Sequence, residues 1–268
     1  MVGVINWGEL RRLMLLSTNR LECFNASYWD KRASDFNENM VHMDDLTRQQ
    51  LDRLPLLPEY AVLDVGAGAG RITIPVAKRV TQVTALEPSE TMLTLLKANA
   101  EKENINNIRC IHGSLEDLEV GYGVDSHELV IASFSLFMID IEKALVAMHN
   151  IATKGVYLFL SASVWMDSEI QKIIYGGSVP MWSDYIYAYN ILYDLGILAN
   201  VEIWDYSSKQ SFSDLNSAVS KFTDLYSAPS KKQIELREYL RRTLVEDDGK
   251  LWIIRKRKAA MIWWTKSE

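Results

Sequence analysis

Nine residues, Val62 to Gly70 (VLDVGAGAG), place three glycines directly behind a short run of strand-forming residues. Val62, Leu63 and Val65 suit a parallel strand covered on both faces. Gly66, Gly68 and Gly70 carry no side chain, so the turn can take unusual dihedrals and a ligand can lie against bare backbone. A helix opening at Arg71 would add free N–H groups and a partial positive charge. Further on, QVTALEPSE (Gln82 to Glu90) reads as a second apolar strand that ends in an acid, Glu87. At that place in an α/β fold a carboxylate accepts the ribose hydroxyls of a bound nucleoside. The chemistry implied is the binding of a flat, polar nucleoside derivative.

Two ligand types use such a turn, the nicotinamide or flavin dinucleotides and S-adenosylmethionine. A dinucleotide fingerprint, G-x-G-x-x-G, requires a glycine three positions after the second one. Arg71 stands there instead. Asp64, at the end of the first strand, would also face a pyrophosphate with like charge. S-adenosylmethionine has no phosphate and carries an ammonium and a sulfonium, which suit that acid. Pro88 stops the second strand and Ser89 is placed to cap a helix over Thr91 to Glu103.

A third strand, Asn107 to His112, is followed by GSLEDL, and a fourth, Glu128 to Phe134, by SLFMID. With these in place, the stretch from Tyr28 to Ala162 resembles the class I S-adenosylmethionine-dependent methyltransferases. The resemblance rests on VLDVGAGAG and ALEPSETML and, less specifically, on IHGSLEDL and VIASFSLF. It implies a doubly wound, mostly parallel seven-stranded Rossmann-like α/β sheet with helices on both faces. It implies that Asp64 serves the methionine ammonium, that Gly66, Ala67 and Gly68 pack under the nucleoside, and that Glu87, Pro88 and Ser89 hold the ribose side. Ser114 stands where the family often has an aspartate for the adenine, leaving Ser114, Leu115 and Glu116 as candidate adenine contacts. Ser133 is expected at the donor too. YWDKRASDF (Tyr28 to Phe36) is similar to the family's lead-in helix, which puts Tyr28, Trp29 and Arg32 near the donor carboxylate; an ordinary amphipathic helix is the other reading. The cofactor implied is S-adenosylmethionine, with S-adenosylhomocysteine as product.

The acceptor side is less explicit. Phe134 and Trp165 follow the fourth and fifth strands and are the candidate pocket residues. Tyr185, Tyr189 and Tyr193 repeat at helical spacing, which favours packing over recognition. No catalytic base stands out among the four histidines; His42 is the weak candidate, while His127 is placed in a polar turn. No cluster has metal-ligand spacing, so no metal is expected. Methyl transfer needs no base when the nucleophile is an amine, a thiolate or an activated carbon, because alignment alone removes several kcal/mol of barrier. The expected activity is in-line transfer to a small molecule. A non-catalytic donor-binding module and an NAD-dependent oxidoreductase are the competing readings.

The net charge of −6 argues against a polyanionic substrate, since nucleic-acid enzymes carry basic surfaces that track phosphates. The one dense basic run, RKRK (Arg255 to Lys258), lies between LWII and AAMIWW and reads as a solvated hairpin turn. Two cysteines, Cys23 and Cys110, are compatible with a reducing compartment. Cys110 falls in an expected buried strand. No apolar run is long enough to cross a bilayer, and Glu9, Arg11 and Arg12 interrupt any signal-like stretch. A cytoplasmic chain with no nucleic-acid or membrane partner is expected; oligomeric state is open. In outline, residues 1–55 form a helical arm or lid, 56–206 the core, and 207–268 a helical cap insertion with a closing hairpin. The arm and the segment Asp214 to Leu244 are expected to meet over the carboxyl ends of the strands, with Gly176 and Pro180 as a hinge.

Overall fold

Apolar runs bounded by glycine and proline alternate with helical periods, and the chain folds accordingly into one sheet flanked by helices. A computed structural model describes residues 5–17, 25–40, 43–115, 125–163, 167–177, 184–226 and 228–266. The arm comprises α1 (Trp7–Ser17), α2 (Ala26–Asp30), α3 (Ala33–Met40) and α4 (Asp44–Leu51). The core follows as β1 (Ala61–Val65), α5 (Thr73–Ala77), β2 (Gln82–Glu87), α6 (Glu90–Lys102), β3 (Ile108–His112), β4 (His127–Ser133), α7 (Ile141–Ile151) and β5 (Ala152–Ser161). Then come α8 (Ser168–Tyr175), α9 (Asp184–Asp194), β6 (Asn200–Phe212), α10 (Leu215–Tyr226), a 3-10 turn, α11 (Gln233–Thr243), β7 (Val245–Asp247) and β8 (Lys250–Thr265).

The strands run in the order β3-β2-β1-β4-β5-β8-β6, with the short β7 paired to β8. β3 through β5 are parallel to one another, while β8 is antiparallel to both of its long neighbours. The order reverses between β1 and β4, and ligands of open α/β sheets bind at the carboxyl ends of the strands beside such a reversal. β1 and β2 are buried almost throughout because helices cover both faces. One face packs Leu63, Val130 and Leu158 against α7 and α9; the other packs Val62, Ile131, Phe159 and Met261 under α4 and α5.

β8 is where the sequence reading fails. Arg255 to Lys258 are not a turn; they lie in the middle of one continuous 16-residue strand. Residues 259–265 of β8 pair with β5, whereas residues 251–258 extend past its end and pair with β6, with β7 added on the other side at Leu251 and Trp252. The result is a β6–β8 ribbon, joined at its tip by β7, that projects from the carboxyl edge of the sheet. A strand sends alternate side chains to opposite faces, so Lys256 and Lys258 are exposed while Arg255 turns inward over the Phe222 ring, 5.2 Å from its centroid. Burial holds the Arg255 guanidinium below its usual pKa. The turn lies earlier, at Asp248 and Gly249, both with positive φ. The ribbon packs Phe212 and Ile253 against α8, α10 and α11 in a separate small core, and β6 runs across residue 206, where the core was expected to end.

Three smaller expectations also change. His127 is not in a polar turn: it starts β4, is buried, and its Nε2 lies 2.8 Å from Thr84 Oγ1. Cys110 is only partly buried, because β3 is an edge strand. The tyrosine stripe of α9 is not core either: Tyr189 and Tyr193 are 37% and 65% exposed, and the buried face is Ala188, Ile191 and Leu192. The arm and the cap do touch. Arg32 pairs with Asp224 of α10 at 3.1 Å, and Lys221 of α10 pairs with Asp35 at 3.0 Å.

Candidate active site

β1 delivers the chain into a turn whose three glycines all have positive φ: Gly66 at 72°, Gly68 at 55° and Gly70 at 96°. The backbone N–H groups of Gly66 and Ala67 both donate to Leu86 O, at 2.8 and 3.1 Å, which fastens the turn to the end of β2. A Cβ on Gly66 would sit 2.4 Å from Ser135 Cβ, so the next loop closes directly on the bare backbone. Ser135 Oγ in turn donates to Val65 O. Phe134, between them, has a positive φ of 54°, a backbone state that costs about 1–3 kcal/mol in a non-glycine residue and concentrates at functional sites.

Glu87 stands beside the turn with 6% of its surface exposed. Its two oxygens accept from Gly68 N at 2.8 Å and Ser89 N at 2.9 Å. A carboxylate has roughly four acceptor sites, so each oxygen keeps capacity for a ligand hydroxyl. Burial raises the Glu87 pKa, and the two backbone N–H groups oppose the rise. Ser89 caps α6, accepting from Met92 N at 3.1 Å, and its hydroxyl donates to Asp30 of α2 at 2.6 Å. That bond holds the Asp30 carboxyl below its usual pKa and ties the arm to the site.

Asp64 is fully buried under the turn. Oδ2 accepts from Thr73 Oγ1 at 2.6 Å, while Oδ1 has no partner. Desolvation pushes its pKa up to about 7, against the pull of Thr73 and of the Arg71 charge. Arg71, itself desolvated to about 10, donates to Thr47 Oγ1 (2.8 Å), Gln50 Oε1 (2.7 Å) and Ser133 Oγ (2.7 Å). Gln50 Nε2 also donates to Ser133 Oγ, at 2.9 Å. With two N–H groups on its oxygen, the Ser133 hydroxyl has its own proton left to donate. Arg71 thus welds α4, the glycine turn and the end of β4 into one unit.

These elements surround a cavity of about 500 Å³. Of the residues expected to bind the donor, Gly66, Ala67, Gly68, Glu87, Pro88, Ser114, Leu115, Ser133 and Trp29 line it, as does the acceptor candidate Phe134. Asp64 and Ser89 lie behind the lining. Tyr28 and Arg32 do not reach it: the Arg32 guanidinium stacks 3.8 Å over the Tyr28 ring and pairs outward with Asp224. Trp29 of that helix turns inward with Ala26, packing on Phe137 with centroids 5.1 Å apart. His42, Trp165, Glu116 and Pro180 fall outside the described residues. Arg71, Tyr206 and Arg257 line the cavity without having been expected there. Alternation along β8 could have found Arg257; nothing local marks Tyr206.

The residues present fit S-adenosylmethionine. The glycine turn leaves a cradle that a side chain would fill, Glu87 keeps acceptor capacity at the end of β2, and Asp64 Oδ1, buried below the turn, has no partner in the chain. Among the described residues no group of acidic, histidine and cysteine side chains is placed to hold a metal, and no helix is long and apolar enough to cross a membrane.

Comparison with known proteins agrees. Residues 62–155 match a family described as "Methyltransferase domain". An uncharacterised protein of Haemophilus influenzae is 27% identical over 97% of this chain and 96% of its own length. Shorter matches cover about a third of the chain. A probable cobalt-precorrin-6B C(15)-methyltransferase of Methanococcus maripaludis is 32% identical over 29% of this chain and 43% of its own. The 23S rRNA (uracil(1939)-C(5))-methyltransferase RlmD of Alcanivorax borkumensis is 38% identical over 32% and 18%. The YcgJ protein of Bacillus subtilis superposes with a TM-score of 0.55 at 15% identity, over 83% of this chain and 98% of its own. The glycine turn, the strand order and the matched model converge: residues 62–155 form a methyltransferase domain, set in a Rossmann-like fold shared with solved methyltransferases.

Proposed function

We propose that the chain methylates a small molecule held in the part of the cavity between Phe134, Tyr206 and the arm. The observation that carries this reading is the size and the largely apolar lining of the cavity. Trp29, Phe36 and Met43 of the arm and Phe137 and Met138 of the loop after β4 line it, together with Tyr206 and Arg257 of the β6–β8 ribbon. Its volume of about 500 Å³ falls in the range of small-molecule sites, roughly 300–1,000 Å³. The basic run that could have tracked a nucleic acid is divided between exposed lysines and inward-facing arginines. The net charge is −6.

When bound, the donor supplies a methyl group made electrophilic by its sulfonium. In this reading Glu87 and the glycine turn bind and orient it, and Asp64 balances its ammonium. The Ser133 hydroxyl and the strained Phe134 backbone shape the place where the acceptor arrives, while the aromatic arm excludes water. In this reading positioning and desolvation carry the reaction, and the acceptor brings its own nucleophilic atom.

A label-transfer experiment tests the reading. Protein is incubated with methyl-labelled S-adenosylmethionine and, separately, with a small-molecule extract and with total RNA. Label in the small-molecule fraction is expected. Label in RNA alone would overturn it. Glu87→Ala should lose donor affinity by about 1.5–3 kcal/mol, the scale of hydrogen bonds to a charged group, measured by calorimetry with S-adenosylhomocysteine.

A further inference from the structure

Arg257 lies on the face of β8 that carries Ala259 and Met261 into the core, directly opposite Tyr206 in the β6–β8 register. Both residues line the cavity. Arg257 is partly buried, yet it makes no hydrogen bond or ion pair with any described residue. The charge that acts on it along the same strand face is Arg255, of the same sign. Its neighbour Lys258 is engaged with Asp205 at 2.9 Å. The second arginine of the cavity, Arg71, is committed to Thr47, Gln50 and Ser133. Glu87, the carboxylate that lines the cavity, is held by two backbone N–H groups at the end of β2, and β1, β4 and β5 lie between β2 and β8.

A cation removed from water without a partner is unfavourable, and here the nearest strand-face charge makes it more so. The arrangement becomes favourable when an anion enters. A guanidinium presents a planar fork that matches the two oxygens of a carboxylate or phosphate. We propose that Arg257 is the specificity residue of this enzyme and that its acceptor is a small molecule bearing an oxyanion, carboxylate or phosphate, seated against Arg257 and Tyr206. The proposal rests on the small-acceptor reading above and adds to it the charge of the substrate. It also gives the ribbon a purpose: by running past β5, β8 carries one inward-facing arginine beyond the sheet edge and over the cavity.

The test uses the full chain loaded with S-adenosylhomocysteine and titrated by calorimetry with inorganic phosphate and with benzoate, which separate the two oxyanion types. The parent should bind at least one of them. R257Q should weaken that binding roughly tenfold or more, the scale of one charge-assisted interaction. R257K, which keeps the charge without the fork, should fall between, and K258M should match the parent. R257Q should bind S-adenosylhomocysteine and methylthioadenosine as the parent does. If R257Q weakens S-adenosylhomocysteine but not methylthioadenosine, which lacks the amino-acid end, Arg257 holds the donor's own carboxylate and the proposal falls. Probes that bind parent and R257Q alike, or that bind neither, overturn the role of Arg257. Binding of a short single-stranded RNA in place of both probes overturns the small-acceptor reading itself.

Discussion

The Glu87 end of the cavity is drawn from short, nearly continuous pieces of chain: Val65 to Gly68, Leu86 to Pro88 and Gly113 to Leu115. The Arg257 end is assembled from Met43, Phe134, Tyr206 and Arg257, which come from four separate regions. At the first end, backbone does most of the work, through positive-φ glycines and N–H groups aimed at one carboxylate. At the second, side chains do it. A backbone-built site tolerates little change in its glycines, whereas a side-chain site can be re-specified residue by residue. On the proposed reading, the Glu87 end holds the donor and is the part a whole family can share, and the Arg257 end holds the acceptor and is the part each member sets for itself.

Arg71 lies where the two ends meet, and removing it should have the largest effect. Arg71→Met leaves Thr47, Gln50 and Ser133 facing a cavity where the guanidinium had joined them. Each buried polar partner left without its donor costs about 1–3 kcal/mol, and three lose one here, so chemical denaturation should show a strongly destabilised chain. A variant within about 1 kcal/mol of the parent, inside the range of an exposed pair, would mean that Arg71 does not join the two ends.

A pair of glycines sharpens the contrast next. Gly66 and Gly249 have nearly the same φ, 72° and 68°, but a Cβ on Gly66 meets Ser135 at 2.4 Å while one on Gly249 meets nothing within 4 Å. Gly249→Ala should cost only the left-handed backbone penalty, roughly 1–2 kcal/mol of stability, and leave donor binding intact. Gly66→Ala adds overpacking, for roughly 2–4 kcal/mol in all, and should abolish measurable S-adenosylhomocysteine binding because the turn must move. Equal effects of the two substitutions on binding would show that the turn is not a rigid cradle.

The same contrast explains what could be read from the chain. VLDVGAGAG and ALEPSE were legible because a strand, a glycine turn and a strand-end acid are local patterns with a local physical cause. Ser89 was legible as a cap for the same reason. RKRK was misread because four adjacent charges resemble a turn, and only the pairing of β8 with β6 shows that alternate members face different environments. Tyr28 and Arg32 do not line the cavity because resemblance places the helix but not its rotation, which the contact of Trp29 with Phe137 sets. Tyr206 lies in a strand far from the motifs, and only the ribbon brings it to Phe134, 6.5 Å between ring centroids.

Asp64 gives a pH signature belonging to the donor end alone. Its folded pKa, about 7, lies above the ordinary value of 3.8. Between those values the folded chain keeps a proton that the unfolded chain has released. Its contribution to stability is therefore full below pH 4 and lost as pH rises through about 7. Asp184, raised by burial to about 6, acts with the same sign. Asp64→Asn, which retains an oxygen for Thr73, should flatten the decline of unfolding free energy between pH 4 and 7 in donor-free protein. Identical pH profiles for parent and variant would refute a protonated Asp64.

The smallest effect is expected at the contacts that join the arm to the cap. Arg32–Asp224 and Lys221–Asp35 are short, but Asp224 and Asp35 are largely exposed, and such pairs contribute about 0–1 kcal/mol. The arm has better anchors. Arg11 is buried and donates to Met138 O at 2.6 Å and Leu136 O at 3.1 Å, holding α1 to the loop after β4; Ser89 holds α2 through Asp30. Asp224→Asn should therefore change unfolding free energy by less than about 1 kcal/mol, and added salt should leave hydrogen exchange in α2 and α3 nearly unchanged. Arg11→Met should speed exchange in α1 and in the loop from Leu136 to Met138, because three backbone carbonyls lose their donor. If salt or Asp224→Asn loosens the arm while Arg11→Met does not, the ion pairs hold the lid, and the cavity is closed from the cap side rather than from the loop after β4.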